Sequence, residues 1–392
     1  MENFEYYNPV KVVFGEGALE QTGAYASLYG QKAFLVTYRE NAFFTEPLAR
    51  LRASLEAHGV ACAEYPGVTA NPLLCQAEEG VRLCRDTGAQ VVIALGGGSV
   101  MDCAKIIAAG VLYPHSLEKM VRFSHSRDEQ LPPRESLPTI LIPTLPATGS
   151  EMNPTAVITD EKTGRKSYVW ESCLYARAAI MDPLLTLSLP PYQTACGAFD
   201  IVSHVVEAYL NGRPDRNLTL QENLQEGVIR AVLQTLPRVM ENPGDVQARG
   251  VLMWAASIAL NGWLTAGTFG FTPMHQMGHV LSARYNATHG ATLACMMPAW
   301  FRYFADRPDN AKYAQLAGRC FGGDIPAAAD RLEALMASYG VQTRLSQLGV
   351  KRDELAALTD SVEEISFGPD HLLDGHPKTS REDIRAIYEL AF

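Results

Sequence analysis

The sequence predicts a chain in two parts. Residues 1–183 read as an α/β N-terminal dinucleotide-binding domain with a mostly parallel sheet, and residues 184–392 as an all-α C-terminal domain. Three observations predict this. Short β-branched runs alternate with helical stretches in the first half, the pattern of parallel strands joined by crossover helices. After Pro183 those runs stop and long helical patterns follow one another. A length of 392 residues also suits two domains.

In chain order, the strand candidates are KVVFG (11–15), AFLVTY (33–38), VACAEYPGV (60–68), QVVIALGG (90–97), TILIPT (139–144), TAVITD (155–160) and AAIMDP (178–183). EPLARLRASLEAHG (46–59) and LCQAEEGVRLCRDTG (74–88) are helical patterns between them. TAVITD runs into the turn residues EKTGR, so it reads as a hairpin strand outside the parallel core. HSRDEQLPPRES (125–136) is polar and contains proline, and is expected to be an exposed loop. The second half carries helical patterns at 194–211, 220–240, 245–263, 327–340 and 380–392.

Composition narrows the function. The chain is 47% hydrophobic and 19% charged, as expected of a globular enzyme with a full core. A net charge of −10 and the lack of a basic run argue against a nucleic-acid partner. The first thirty residues lack the features of a signal peptide, and no apolar run approaches membrane-spanning length, so no membrane association is expected. The eight cysteines are scattered without a C-x-x-C, and several lie in apolar stretches, which reads as reduced thiols and a cytoplasmic location.

Two stretches carry the chemistry. VVIALGGGSVMDCAKIIAAG (91–110) is an apolar strand, three glycines, a serine and a helix. Glycines let a backbone approach a phosphate, and a helix N-terminus offers free N–H groups and a positive dipole end. Ser99 suits either a helix cap or a phosphate contact; Asp102 suits either a first-turn carboxylate or a cofactor contact. A second small-residue turn, IPTLPATGSE (142–151), follows the next strong strand. In a parallel sheet both turns open at one carboxyl edge, which predicts an extended, phosphate-containing ligand.

The second stretch is MHQMGHVLSARYNATHG (274–290), with three of the nine histidines. His275 and His279 fall on one helix face, and upstream Asp200 and His204 are also four apart. Two such helices facing each other close a mixed N/O site suited to Fe²⁺ or Zn²⁺. Cys196, four before Asp200, is a further conceivable ligand, though a small core residue is the commoner role. His58 precedes a helix-ending glycine, and His115, His125, His371 and His376 read as loop residues.

With these blocks in view, the chain resembles the iron-containing (group III) alcohol dehydrogenase family. The likeness rests on KVVFGEGAL, Asn71-Pro72, GGGSVMDCAK, IPTLPATGSE, AVITDEKTGRK, MDPLLTLSLPP, GAFDIVSHVVEAY and the histidine stretch, in matching order and spacing over nearly the whole length. It implies the fold shared with dehydroquinate synthases, and metal ligands at Asp200, His204, His275 and His289. His279 becomes a catalytic residue near the substrate, linking a proton path to solvent. Gly97, Gly98 and Ser99 would cradle the pyrophosphate of NAD or NADP. Tyr38, Asn71, Asp102, Thr144, Leu145, Thr148, Lys166 and Leu185 would line the rest of the cofactor site.

The implied reaction is reversible hydride transfer between a small primary alcohol or diol, or its aldehyde, and NAD(P), with Fe²⁺ or Zn²⁺ as Lewis acid. Asn153, Trp263, Phe269 and Phe271 are candidate pocket residues. The alternative is an NAD- and metal-dependent lyase or cyclase of the dehydroquinate synthase type. That chemistry needs several basic residues for a phosphorylated substrate, whereas NGWLTAGTFGFTPMH (261–275) has no Lys or Arg. The sequence departs from the family pattern at Pro146, in TLPATGSE. Tyr38-Arg39-Glu40 also fits neither cofactor signature: Arg39 suits a 2′-phosphate and Glu40 repels one. A homo-oligomer, dimer or higher, is expected, with the first strand able to pair across a dimer.

Overall fold

The computed structural model describes residues 1–40, 42–123, 130–213, 215–268 and 270–392. Its strands are β1 (Lys11–Phe14), β2 (Lys32–Tyr38), β3 (Ala61–Val68), β4 (Val91–Gly96), β5 (Thr139–Pro143), β6 (Thr155–Asp160), β7 (Arg165–Trp170) and β8 (Ala178–Met181). Six of them form a parallel sheet in the order β1-β8-β5-β4-β2-β3. The helices of the first half are α1 (Thr22–Ala26), α2 (Thr45–Ala57), α3 (Leu74–Thr87) and α4 (Gly98–Leu112).

Strand periodicity sorts the side chains into two layers. Phe34, Val36, Val92 and Ala94 pack with Ala77, Val81 and Ile107 of α3 and α4. Their neighbours Leu35, Ile93 and Leu95 point the other way, onto Leu48, Leu51 and Leu55 of α2. All six residues of β4 are buried, which explains its continuous apolar sequence.

β6 and β7 pair antiparallel as a separate two-stranded sheet, with Thr159 opposite Lys166. The hairpin reading of TAVITD is therefore met, while its partner RKSYVW is absent from the expected strands because its two leading cations hide the alternation. The last parallel strand stops at Met181, two residues short of expectation. Asp182 leaves the sheet to accept bonds from Leu184 N (3.1 Å) and Gly17 N (3.1 Å). Residues 124–129, including His125 and the first five residues of the expected loop, lie outside the described residues; 130–136 form neither helix nor strand.

The second half is helical: α5 (Pro191–Leu210), α6 (Thr219–Glu241), α7 (Val246–Leu260), α8 (Pro273–Tyr285), α9 (His289–Phe304), α10 (Ala311–Leu316), α11 (Ile325–Ser338), α12 (Leu355–Ser366) and α13 (Arg381–Ala391). α5 is buried on every side from Thr194 to Leu210 and forms the axis around which the others pack. Start signals are visible in the sequence. Asp245 and Asp324 accept from Ala248 N and Ala327 N, each at 2.9 Å, at the heads of α7 and α11. Among the described residues, no helix is long and apolar enough to cross a membrane.

Candidate active site and metal centre

β4 and β5 are adjacent and parallel, so the turns that follow them open at the same edge of the sheet. α4 begins at Gly98, with Gly97 extended before it and no side chain capping the helix. Its first N–H groups are thus available to an anion, and Ser99 sits inside the first turn without acting as the cap. The two turns touch. A Cβ on Gly98 would lie 2.6 Å from the Thr148 side chain, and one on Gly97 would lie 3.0 Å from the Tyr38 hydroxyl and 3.5 Å from Leu145. Tyr38, Gly97, Gly98, Leu145 and Thr148 therefore meet at one point, and Thr144 N bonds Gly96 O at 3.0 Å beside them. Pro146 turns its carbonyl toward Gly197 on α5, where a Cβ would approach to 2.4 Å. Leu185 is buried with the α2-side core.

Beneath the turns lies a buried polar network. Asp102 accepts from Ser150 Oγ at 2.6 Å and Val157 N at 3.0 Å, so both its oxygens brace α4 against β6 and the second turn. Lys105 is fully buried and donates to Ser150 Oγ, Asn153 O and Thr155 O, each at 2.8 Å. Burial pushes the Lys105 pKa down to about 8, against the upward pull of Asp102 and Glu151. Asn153 ties the second turn to itself, donating to Gly149 O at 2.9 Å and accepting from Thr155 N at 3.0 Å. Lys166 is buried, with its pKa pushed to about 8 by burial against Asp102 and Asp200, and donates to Asn71 Oδ1 at 2.8 Å. Of the other pocket candidates, Trp263 is 48% exposed, Phe271 is partly buried against the helical core, and Phe269 lies outside the described residues.

The second cluster is built by three helices. Asp200 and His204 share a face of α5, His275 lies on α8 and His289 opens α9. α9 comes this close to α5 because residue 290 is glycine: a Cβ there would lie 2.1 Å from Cys196 O. Asp200 Oδ1 is 3.6 Å from His275 Nε2 and 3.7 Å from His289 Nε2. One ligand atom from each of these three residues falls within 4.8 Å of the others. Asp200 Oδ1 and His275 Nε2 are buried without hydrogen-bond partners, as are Nδ1 of His204, His279 and His289. Such orphaned atoms are costly unless something satisfies them. A divalent cation there would satisfy Asp200 Oδ1 and His275 Nε2, and this N/O donor set suits Fe²⁺ or Zn²⁺.

His204 stacks on His275 with centroids 4.3 Å apart. His204 and His279 both stand outside the three-residue cluster, the His279 ring 5.4 Å from that of His289. Cys196 is also outside it, and burial pushes its thiol up to about 12. Burial favours neutral imidazoles, lowering His204 to about 4 and carrying His279 and His289 well below the usual range. At His275 burial acts in the same direction, but Glu207 and Asp200 outweigh it and raise the pKa to about 9. The surrounding histidines overcome burial at Asp200 and hold its carboxyl well below the usual range.

The match that decides the family takes in both halves. Residues 9–183 fit the family model described as iron-containing alcohol dehydrogenase, and residues 194–392 fit that of the family's C-terminal part. The chain belongs to the iron-containing alcohol dehydrogenases. It is 32% identical over 404 residues to the NADH-dependent butanol dehydrogenase A of Clostridium acetobutylicum, covering 100% of each. It is 31% identical over 399 residues to the NADPH-dependent aldehyde reductase YqhD of Escherichia coli, again covering 100% of each. The crystal structure of NADH-dependent butanol dehydrogenase A from Thermotoga maritima superposes with a TM-score of 0.91 at 33% identity, covering 100% of this chain and 99% of that one. These relatives support the dehydrogenase reading over the lyase alternative.

One residue of this alcohol dehydrogenase escaped the sequence reading. Glu207 is buried on α5, three residues after His204, and bonds His275 Nδ1. It also accepts from Met274 N at 2.5 Å and His275 N at 3.3 Å. It therefore fixes the imidazole so that Nε2 faces Asp200, the role of the carboxylate behind a metal-bound histidine. Its signal was present: Asp200, His204 and Glu207 fall on one face at helical spacing, in a helix otherwise almost wholly apolar. Glu207→Gln is expected to weaken metal affinity about 10- to 100-fold. Competition with a calibrated chelator checks this, and an unchanged affinity would remove Glu207 from the metal centre.

Proposed function

We propose that this dehydrogenase interconverts small primary alcohols or diols and their aldehydes, using NADH or NADPH and one ferrous ion per chain. Zinc suits the same donors. The observation that carries the reading is the convergence of two unpaired buried atoms, Asp200 Oδ1 and His275 Nε2, at one point. In this reading Asp200, His204, His275 and His289 hold the metal, while Gly97, Gly98 and Ser99 hold the cofactor's pyrophosphate. When bound, the metal supplies Lewis acidity toward the substrate oxygen and the nicotinamide supplies hydride transfer.

The protein's own residues orient and protect. Glu207 sets the His275 tautomer. Lys166 and Asn71 stand at the cofactor end of the metal cluster. His279, neutral and unpaired at Nδ1, receives the proton that an alcohol loses and passes it toward solvent. We place the enzyme in the cytoplasm as a homo-oligomer, with residues 1–183 and 184–392 as its two domains.

The test is an anaerobic preparation analysed for metal and assayed with NADH and NADPH over a panel of short aldehydes. About one iron per chain, with aldehyde-dependent oxidation of either cofactor, supports the reading. Absence of metal overturns the four-ligand assignment. His279→Phe is expected to lower turnover about 100-fold at unchanged metal content, since positioned proton transfer contributes on that order. Loss of metal in that variant would instead make His279 a ligand.

A further inference from the structure

Two residues in a left-handed backbone conformation face each other across the halves of the chain. Asn71 has φ 52° and Asn286 has φ 48°. Asparagine tolerates this region better than most residues, but it is still uncommon there, and such strain concentrates at functional positions. Asn71 Nδ2 donates to Asn286 Oδ1 at 3.0 Å and lies 3.5 Å from Ala287 O. Asn71 Oδ1 accepts from Lys166 Nζ at 2.8 Å. One side-chain amide thus links a lysine of the hairpin to the end of α8.

Both roots of this clasp are firm. Beside Asn71, Pro72 O accepts from Thr159 N at 2.9 Å, and Thr159 sits opposite Lys166 in the hairpin. At the other root, Asn286 terminates α8, and only Ala287 and Thr288 separate it from His289 at the head of α9. The linker that Asn71 touches therefore leads directly into the helix that carries His289.

We propose that Asn286 is a positioning residue: through Asn71 and Lys166 it couples occupancy of the nicotinamide cleft to the placement of His289. This rests on reading Asn71 and Lys166 as cofactor-side groups and His289 as a metal ligand. A dinucleotide against Lys166 and Asn71 immobilises the amide, the amide holds residues 286 and 287, and His289 is kept in place. By linkage, cofactor and metal then tighten each other's binding by the same factor, about 10-fold for couplings of the usual size.

The experiment measures release of Zn²⁺ from the reconstituted full-length protein to a chromogenic chelator. It is run without cofactor and with whichever of NADH or NADPH binds by fluorescence. Cofactor is expected to slow release about 10-fold in the wild type. Asn286→Gly keeps the left-handed backbone and removes the side chain. It is expected to retain metal and cofactor binding while the ratio of release rates falls to near one. Asn286→Asp keeps the acceptor for Asn71 and is expected to keep the ratio. A wild-type ratio of one, with both ligands bound, overturns the coupling alone. A full ratio in Asn286→Gly shows that the amide is not the link and overturns the role of Asn286. A wild type that holds no metal overturns the reading of the site, and this proposal with it.

Discussion

Asp200→Ala is expected to empty the metal centre and lower turnover about a thousandfold, the scale of several kcal/mol of lost Lewis-acid stabilisation. The reason lies in the geometry. Asp200 Oδ1 faces both His275 Nε2 and His289 Nε2, so it is the one atom common to both close approaches. It is also the only anionic donor in the cluster. Without it, a dication would rest on neutral imidazoles in a buried site. Elemental analysis of protein purified without oxygen, paired with an assay on the same sample, reads both effects. Metal retained at one per chain with activity lost would assign Asp200 to the substrate instead. Metal and activity both retained would dismantle the centre.

Lys105→Met is expected to destabilise the fold by several kcal/mol, because each buried acceptor left without its donor costs about 1–3 kcal/mol. The methionine fills the space of the side chain but leaves Ser150, Asn153 and Thr155 without their donor. It also takes a nearby buried cation from Asp102 and Glu151, leaving Lys166 as the remaining one near Asp102. Urea unfolding of the two proteins measures the difference, and a loss under 1 kcal/mol would mean that the network relaxes around the change. The sign of the pH dependence follows from the lowered pKa of about 8. Lys105 charges less readily when folded than its ordinary value of 10.5 allows. Its burial penalty is therefore complete below pH 8 and is relieved as pH rises from 8 to 10.5. Lys166 is shifted in the same direction, so the wild type should gain stability across that window and the variant should gain less.

Much of this was legible in the residues, because regular elements advertise their period. The parallel strands, the hairpin strand TAVITD and the long helices all appear within a few residues of where patterning puts them. The misses have a common origin in distant contacts. Asp182 ends β8 early because it bonds backbone near Gly17, which no local window contains. Spacing suggested that the histidines bind metal, but it could not rank His275, His279 and His289. Only the approach of α9 to α5 brings Asp200, His275 and His289 together and leaves His204 and His279 aside.

The polar residues around the glycine turns brace the scaffold. Asp102 and Asn153 look ligand-facing in sequence, yet their hydrogen bonds go to the scaffold. Lys105, inside MDCAKIIAAG, gave a signal that is easy to pass over: a lone cation in an apolar helix, three residues after an acid.

The strand order has one last consequence. β5 and β4 are the two innermost strands of the six, and β1 and β3 are the rims. Both turns proposed to hold the cofactor therefore spring from the part of the sheet expected to open least often. Amide protons should exchange first along β1 and β3 and last along β4 and β5. Under mild denaturing stress the rims can fray while the cleft keeps its shape.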